Sequence, residues 1–168
     1  MMADMEILIS VGLLVAVAAW VAGLCHRLSR LRAELRSAWE AWAQDTRRRN
    51  ETLGEFAELY ALLMPAGEMQ PRTLRRLLAD SDRALRAGKL QDAGEGELCR
   101  ELERATSVVG ETAVLRSHEG MAALCEQLTK AQKRQKLSEQ QLQEAEEAYL
   151  AALKEPPVRL VAPSLGFH

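Results

Sequence analysis

From Ile7 to Cys25 the chain carries no charged residue. A helix over that stretch rises roughly 28 Å, about the thickness of a bilayer's hydrocarbon core, and satisfies its own backbone hydrogen bonds on the way. Trp20 stands near one end, where an amphipathic ring suits the interface. Residues 1–6 are then a flank and 7–25 a membrane span, and the rest of the chain is too charged to enter lipid. A cleaved secretory signal starts with basic residues, whereas Asp4 and Glu6 make this start acidic. A lipoprotein signal has a small residue ahead of its cysteine, and here Leu24 precedes Cys25. A retained anchor is the expectation, with a cleaved signal or a buried core helix as the alternatives.

His26, Arg27, Arg30, Arg32 and Arg36 come after the span, while the flank before it holds only acids. Positive charge stays inside, so the expected arrangement in the cell (inner) membrane is single-pass, with the N-terminus outside and the body in the cytoplasm. The body is polar and aliphatic. The chain is 48% hydrophobic but only 4% aromatic, which favours helix packing over a β-rich core. A net charge of −2 gives no overall electrostatic footprint for nucleic acid. Cys25, Cys99 and Cys125 have no paired spacing and ask for no oxidising compartment.

Past the span, Leu28, Leu31, Leu35, Ala38, Trp42, Phe56, Leu59 and Leu63 fall on one alternating three-and-four-residue register. Asp45, Arg49 and Thr52 occupy its middle, a polar belt between apolar ends. This first helix is expected to run unbroken from the anchor to about Met64, where Pro65-Ala-Gly67 ends it. A second helix starts at Pro71, carries Leu74, Leu77, Leu78 and Leu85, and stops at Gly88. Residues 88–96 read as a loop, with a third helix over 97–109 and turns at Gly110 and across 117–120. Gly94-Glu-Gly96 lacks both a preceding strand and the third glycine of a nucleotide loop.

The fourth helix repeats the pattern of the first. Met121, Leu124, Leu128, Ala131, Leu142, Ala145, Tyr149 and Ala152 share a register, with Gln135 and Ser138 as its polar middle, and Pro156-Pro157 closes it. The expected fold is all-α: the transmembrane helix continues into an elongated, antiparallel, up-and-down four-helix bundle over 26–155. An apolar tail, 156–168, completes the chain. In that arrangement Leu28 lies level with Ala152 and Asp45 with Gln135, so the polar belts of the first and fourth helices meet and set their register.

Arg30-Leu-Arg32, Ala38-Trp39, Arg47-Arg48-Arg49-Asn50, Leu115-Arg-Ser-His-Glu119, Leu124-Cys-Glu-Gln-Leu128, Tyr149, Pro157, Leu160-Val161-Ala162 and Gly166-Phe167 stand in an order and at separations that resemble the LemA family of small bacterial membrane proteins. The likeness covers the first helix, the fourth helix and the tail, and departs from the family pattern at Trp42-Ala-Gln-Asp-Thr46, Gly54-Glu55 and Thr112-Ala113. It implies an N-terminal anchor, a long four-helix bundle and no catalytic activity.

Residue chemistry points the same way. His118-Glu119 begins like a zinc-protease motif, but Ala122 stands where the second histidine belongs, and His26 and His168 lie far off in sequence. No metal or cofactor is expected. Cys99 and Cys125 read as small packed residues, and Glu144, Glu146 and Glu147 as a solvated face. Arg47, Arg48 and Arg49 read either as a solvated cluster with Arg49 bonded inside the belt, or, with Trp39, as a partner surface for an acidic protein. Trp39 and Trp42, three residues apart on the helix, read as core or as a partner site. Leu160, Val161, Leu165 and Phe167 in the tail either cap the bundle or meet the bilayer surface. The resulting expectation is a membrane-anchored interaction or scaffold protein of the cell envelope. Its partners would be the bilayer through 7–25, another membrane or envelope protein, and a second copy of itself. The competing expectation is an accessory subunit that tunes a membrane enzyme such as a peptidase.

Overall fold

The computed structural model describes residues 2–64, 70–88 and 93–155. It is all-helical, with no strand among the described residues: α1 (Met2–Leu63), α2 (Gln70–Arg86), α3 (Ala93–Glu111), α4 (Ala113–Ser117) and α5 (Glu119–Lys154). α1 runs without interruption from the apolar stretch through the polar belt to Leu63. Its end is dictated by Pro65, which disfavours helical geometry at the preceding residue. The Met64 N–H still donates to the Tyr60 carbonyl at 3.0 Å. α2 places Pro71 in its first turn, where a missing N–H leaves no bond unmade. It closes on Gly88, whose φ of 69° is left-handed and suits a residue without a Cβ. The Gly88 N–H donates to the Leu85 carbonyl at 3.2 Å.

Two expectations need correction. The third helix begins at Ala93 rather than Glu97 and runs through Gly110 to Glu111, so residues 93–96 and Gly110 are helical rather than loop and turn. Each of the three glycines, Gly94, Gly96 and Gly110, costs a helix about 1 kcal/mol at most, which burial of Leu98, Leu102, Ala105 and Val109 on the same helix outweighs. The helices also number five among the described residues. Thr112 (ψ 113°) and His118 (ψ 111°) are extended, and they bracket the short α4. That helix carries Leu115 into the core. The break at His118 falls within the expected turn, and α5 starts directly after it.

The chain divides into two compact units, Met1–Glu40 with Gln140–His168, and Ala41–Glu139. In the second, all five helices contribute to one core: Leu53, Phe56, Ala57 and Tyr60 from α1, Leu74 and Leu77 from α2, Leu98, Leu102, Ala105 and Val109 from α3, Leu115 from α4, and Met121 and Leu128 from α5. Phe56 and Tyr60, one turn apart, stack with ring centroids separated by 5.6 Å, within the range that favours aromatic pairs. Gly54 of α1 faces Leu78 of α2, and a Cβ there would meet Leu78 Cδ2 in ordinary contact at 3.7 Å.

The first unit is built from two helices among its described residues. Leu28 packs against Ala152, with Leu24, Leu31 and Leu153 half-buried around them. Arg27 pairs with Glu155 through two hydrogen bonds of 2.8 Å. Residues 11–20 of α1 are exposed throughout, Leu13 at 68% and Leu14 at 72%. α1 is long and apolar enough to cross a membrane, and its most apolar window is only 6% buried.

Candidate functional site

The polar middle of the register becomes a buried layer in the unit 41–139. Arg49 is 2% exposed although it carries a full charge. Its Nη1 donates to Gln135 Oε1 at 2.8 Å, its Nη2 to Asn50 Oδ1 at 2.7 Å, and its Nε to the same oxygen at 3.2 Å. Asn50 Nδ2 donates in turn to Asp82 Oδ1 at 2.6 Å and to Ser81 Oγ at 3.2 Å. The Asn50 amide therefore lies between the guanidinium and the carboxylate with its oxygen toward the cation and its nitrogen toward the anion. That orientation stabilises both charges in a layer that is buried at Arg49 and Asn50 and half-buried at Ser81 and Asp82. One layer ties α1, α2 and α5 together.

The belt is built differently from the sequence expectation at two points. Asp45 does not meet Gln135; Arg49, one turn further along α1, does so. Four residues advance a helix by about 400°, which turns Asp45 about 40° away from Arg49. It lies half-buried at the edge of a cleft. Arg49 in turn is no part of an accessible partner surface, because its side chain is buried while Arg47 and Arg48 are exposed. Thr52 is half-buried and bonds locally, to the Arg48 carbonyl at 3.0 Å. Ser138 is buried and also turns back on its own helix, to the carbonyls of Gln135 at 3.0 Å and Arg134 at 3.2 Å.

Trp39 is half-buried and Trp42 buried, so of the two Trp39 offers the surface. The tail residues Leu160, Val161, Leu165 and Phe167 lie outside the described residues. Comparison with known proteins finds no matching family model, no similar curated protein and no similar solved structure. The LemA likeness thus rests on the ordered residues of the sequence.

Thr46, Asn50, Ser81 and Asp82 belong to the layer or its border and were not singled out by sequence. Ser81 was detectable: Leu74, Leu78, Ser81 and Leu85 alternate four and three residues apart, so a polar residue interrupts the apolar stripe of α2 where Asn50 arrives. Thr46 is buried, and its Oγ1 has no hydrogen-bond partner among the described residues.

Clefts on the unit 41–139 include two that described residues of α5 line together with α1 or α3. One, of about 380 Å³, has Leu102 and Val109 of α3 facing Cys125 and Leu128 of α5, with Glu103 and Arg116 also in its lining. Burial pushes the Cys125 thiol up from its ordinary value, which lowers the share of the reactive thiolate. The other, of about 260 Å³, is lined by Asp45, Arg48 and Thr52 of α1 and by Gln127, Lys130, Ala131 and Arg134 of α5. Lys130 also pairs with Glu126 at 2.6 Å, and that hydrogen bond, followed by the charge attraction, holds the Glu126 carboxyl below its ordinary range. Among the described residues no three His, Cys, Asp or Glu side chains gather closely enough to hold a metal ion.

Proposed function

We propose that this chain is a single-pass membrane protein whose N-terminal helix anchors an antiparallel, LemA-like helical bundle, and that the bundle acts as an interaction or scaffold protein of the cell envelope without chemistry of its own. The observation that carries the anchor is the bare apolar surface of α1 over 11–20. A helix of a soluble core buries such side chains against protein. Here no part of the described chain covers them, and lipid is the solvent in which that exposure costs nothing. The basic residues Arg27, Arg30, Arg32 and Arg36 beyond the span favour a cytoplasmic bundle by the positive-inside rule. The antiparallel bundle draws support from the pairings of α1 with α5, Leu28 with Ala152 and Arg49 with Gln135. The scaffold role draws on the polar layer, which fixes helix register and leaves Arg47 and Arg48 outward.

Cross-linking the full-length protein in its own membrane, then solubilising mildly and identifying the attached proteins, tests the scaffold role. The expected result is one membrane or envelope protein in fixed ratio. Recovery of the chain alone, or cross-linked only to itself, contradicts it.

A further inference from the structure

The cleft between α1 and α5 concentrates positive charge in a chain whose net charge is −2. Between Glu126 and Glu139, α5 carries Lys130, Lys133, Arg134 and Lys136 and no acid, and all four are exposed. Lys130 and Arg134 stand one turn apart on the same face, and Arg48 of α1 lines the same cleft. The guanidinium groups of Arg48 and Arg134 have no ion-pair partner among the described residues, and Asp45, in the same lining, has none either. Lys130 pairs with Glu126 on its own helix, whereas Arg48 and Arg134, beside it in the lining, repel one another and it. Their grouping is therefore better explained by a bound anion than by stability.

We infer that this cleft docks an acidic segment of a partner protein, with carboxylates on Arg48 and Arg134 and a donor group of the same segment on Asp45. The inference rests on the interaction reading above and gives it a surface, replacing a patch of Arg47, Arg48, Arg49 and Trp39 with one built from two helices. Planar guanidinium forks match carboxylates through paired hydrogen bonds, and Ala131 leaves room between the cations for a side chain to enter. Asp45 decides against a uniform polyanion: a nucleic-acid backbone or a sheet of anionic headgroups meets it with repulsion, whereas a peptide answers it with a lysine or a free N–H. The chain's own tail does not fit, since residues 156–168 contain no acid.

The test uses the full-length protein in phosphatidylcholine nanodiscs and a fluorescein-labelled synthetic peptide that carries glutamates one helical turn apart and a single lysine. Its counterpart has glutamine at every glutamate. The glutamate peptide is expected to bind, to weaken as salt rises, and to lose about tenfold or more in affinity when Arg48→Glu and Arg134→Glu are combined. Arg76→Glu, an exposed change on α2, leaves binding as it was. Because Arg48 and Arg134 are exposed, the double variant keeps the parent's melting temperature, which separates lost docking from lost folding. Equal binding of the glutamine peptide overturns the inference, as does full binding by the double variant. So does a double variant that loses only attachment to phosphatidylglycerol vesicles, which reassigns the cleft to lipid. If the membrane cross-link to a partner survives in the double variant, the cleft is wrong and the scaffold reading stands. If the parent protein captures only itself in the membrane, the scaffold reading fails whatever the peptide does.

Discussion

The two compact units are held by different means. Residues 41–139 gather side chains from five helices around Phe56 and Tyr60 and add a layer of buried hydrogen bonds at Arg49. Residues 1–40 and 140–168 have, among the described residues, a small cluster at Leu28 and Ala152, further buried side chains at Leu142 and Tyr149, and exposed ion pairs, of which Arg27 with Glu155 joins α1 to the end of α5. Such a pair contributes little, because solvent and salt screen it. The larger apolar cluster and the buried polar layer both lie in the unit without the bare apolar stretch, while the unit that holds that stretch has the smaller cluster.

The largest expected break in this contrast is Phe56→Ala. It removes a fully buried aromatic ring and its stacking contact with Tyr60. The expected cost is about 3–5 kcal/mol, seen as loss of amide protection throughout 41–139. Leu28→Ala acts on the smaller contact. Its expected cost is about 2 kcal/mol, the low end for such truncations, with protection lost only near 24–31 and 152–153. Equal effects at both positions would erase the distinction between the units.

Arg49 sharpens it next. Arg49→Ala leaves Gln135 and Asn50 buried without their donor. It is expected to cost about 2–4 kcal/mol by chemical denaturation, from amide oxygens that lose a charged donor and from lost packing. Arg49→Met fills the volume without the charge and is expected to recover most of that loss. If methionine is as damaging as alanine, the guanidinium itself carries the stability rather than the register. Thr46→Val goes the other way, deleting a buried hydroxyl that has no partner among the described residues. It is expected to raise stability by about 1 kcal/mol.

The smallest effects are electrostatic. Glu126 has its carboxyl held low by Lys130, so its contribution is present above the ordinary carboxylate pKa and is lost as pH falls through the lower folded value. Glu126→Gln is expected to flatten that acid limb, as followed by melting temperature, and to lower the melting temperature only slightly at neutral pH, since the pair is exposed. Burial raises the Cys125 thiol, so iodoacetamide is expected to modify it slowly in the native protein and readily after denaturation.

Much of the architecture was legible because long helices write their burial pattern at three- and four-residue spacing. Leu28, Phe56, Leu128 and Ala152 were all placed on the packed stripe by that rule, and Pro65 and Gly88 marked real ends. Periodicity fails where a side chain's reach matters more than its position. Asp45 and Arg49 share a register, yet only the longer residue spans to Gln135. An offset of about 40° sends the shorter one to the cleft. The cleft itself was illegible, since it joins Arg48 to residues of α5 far along the chain and no local pattern links them. Gly94, Gly96 and Gly110 misled because glycine lowers helix propensity without forbidding a helix that tertiary packing supports.

The central claim is that residues 7–25 remain in a bilayer as an anchor. Alkaline carbonate extraction of membranes from cells making the full chain, with the mass of the retained protein determined afterwards, tests it most directly. The protein is expected in the membrane pellet with a mass that includes the apolar helix. Release into the supernatant, or a retained species whose mass lacks the segment from Met1 to Cys25, would contradict the anchor and turn the exposed face of α1 into a signal or an interface between proteins.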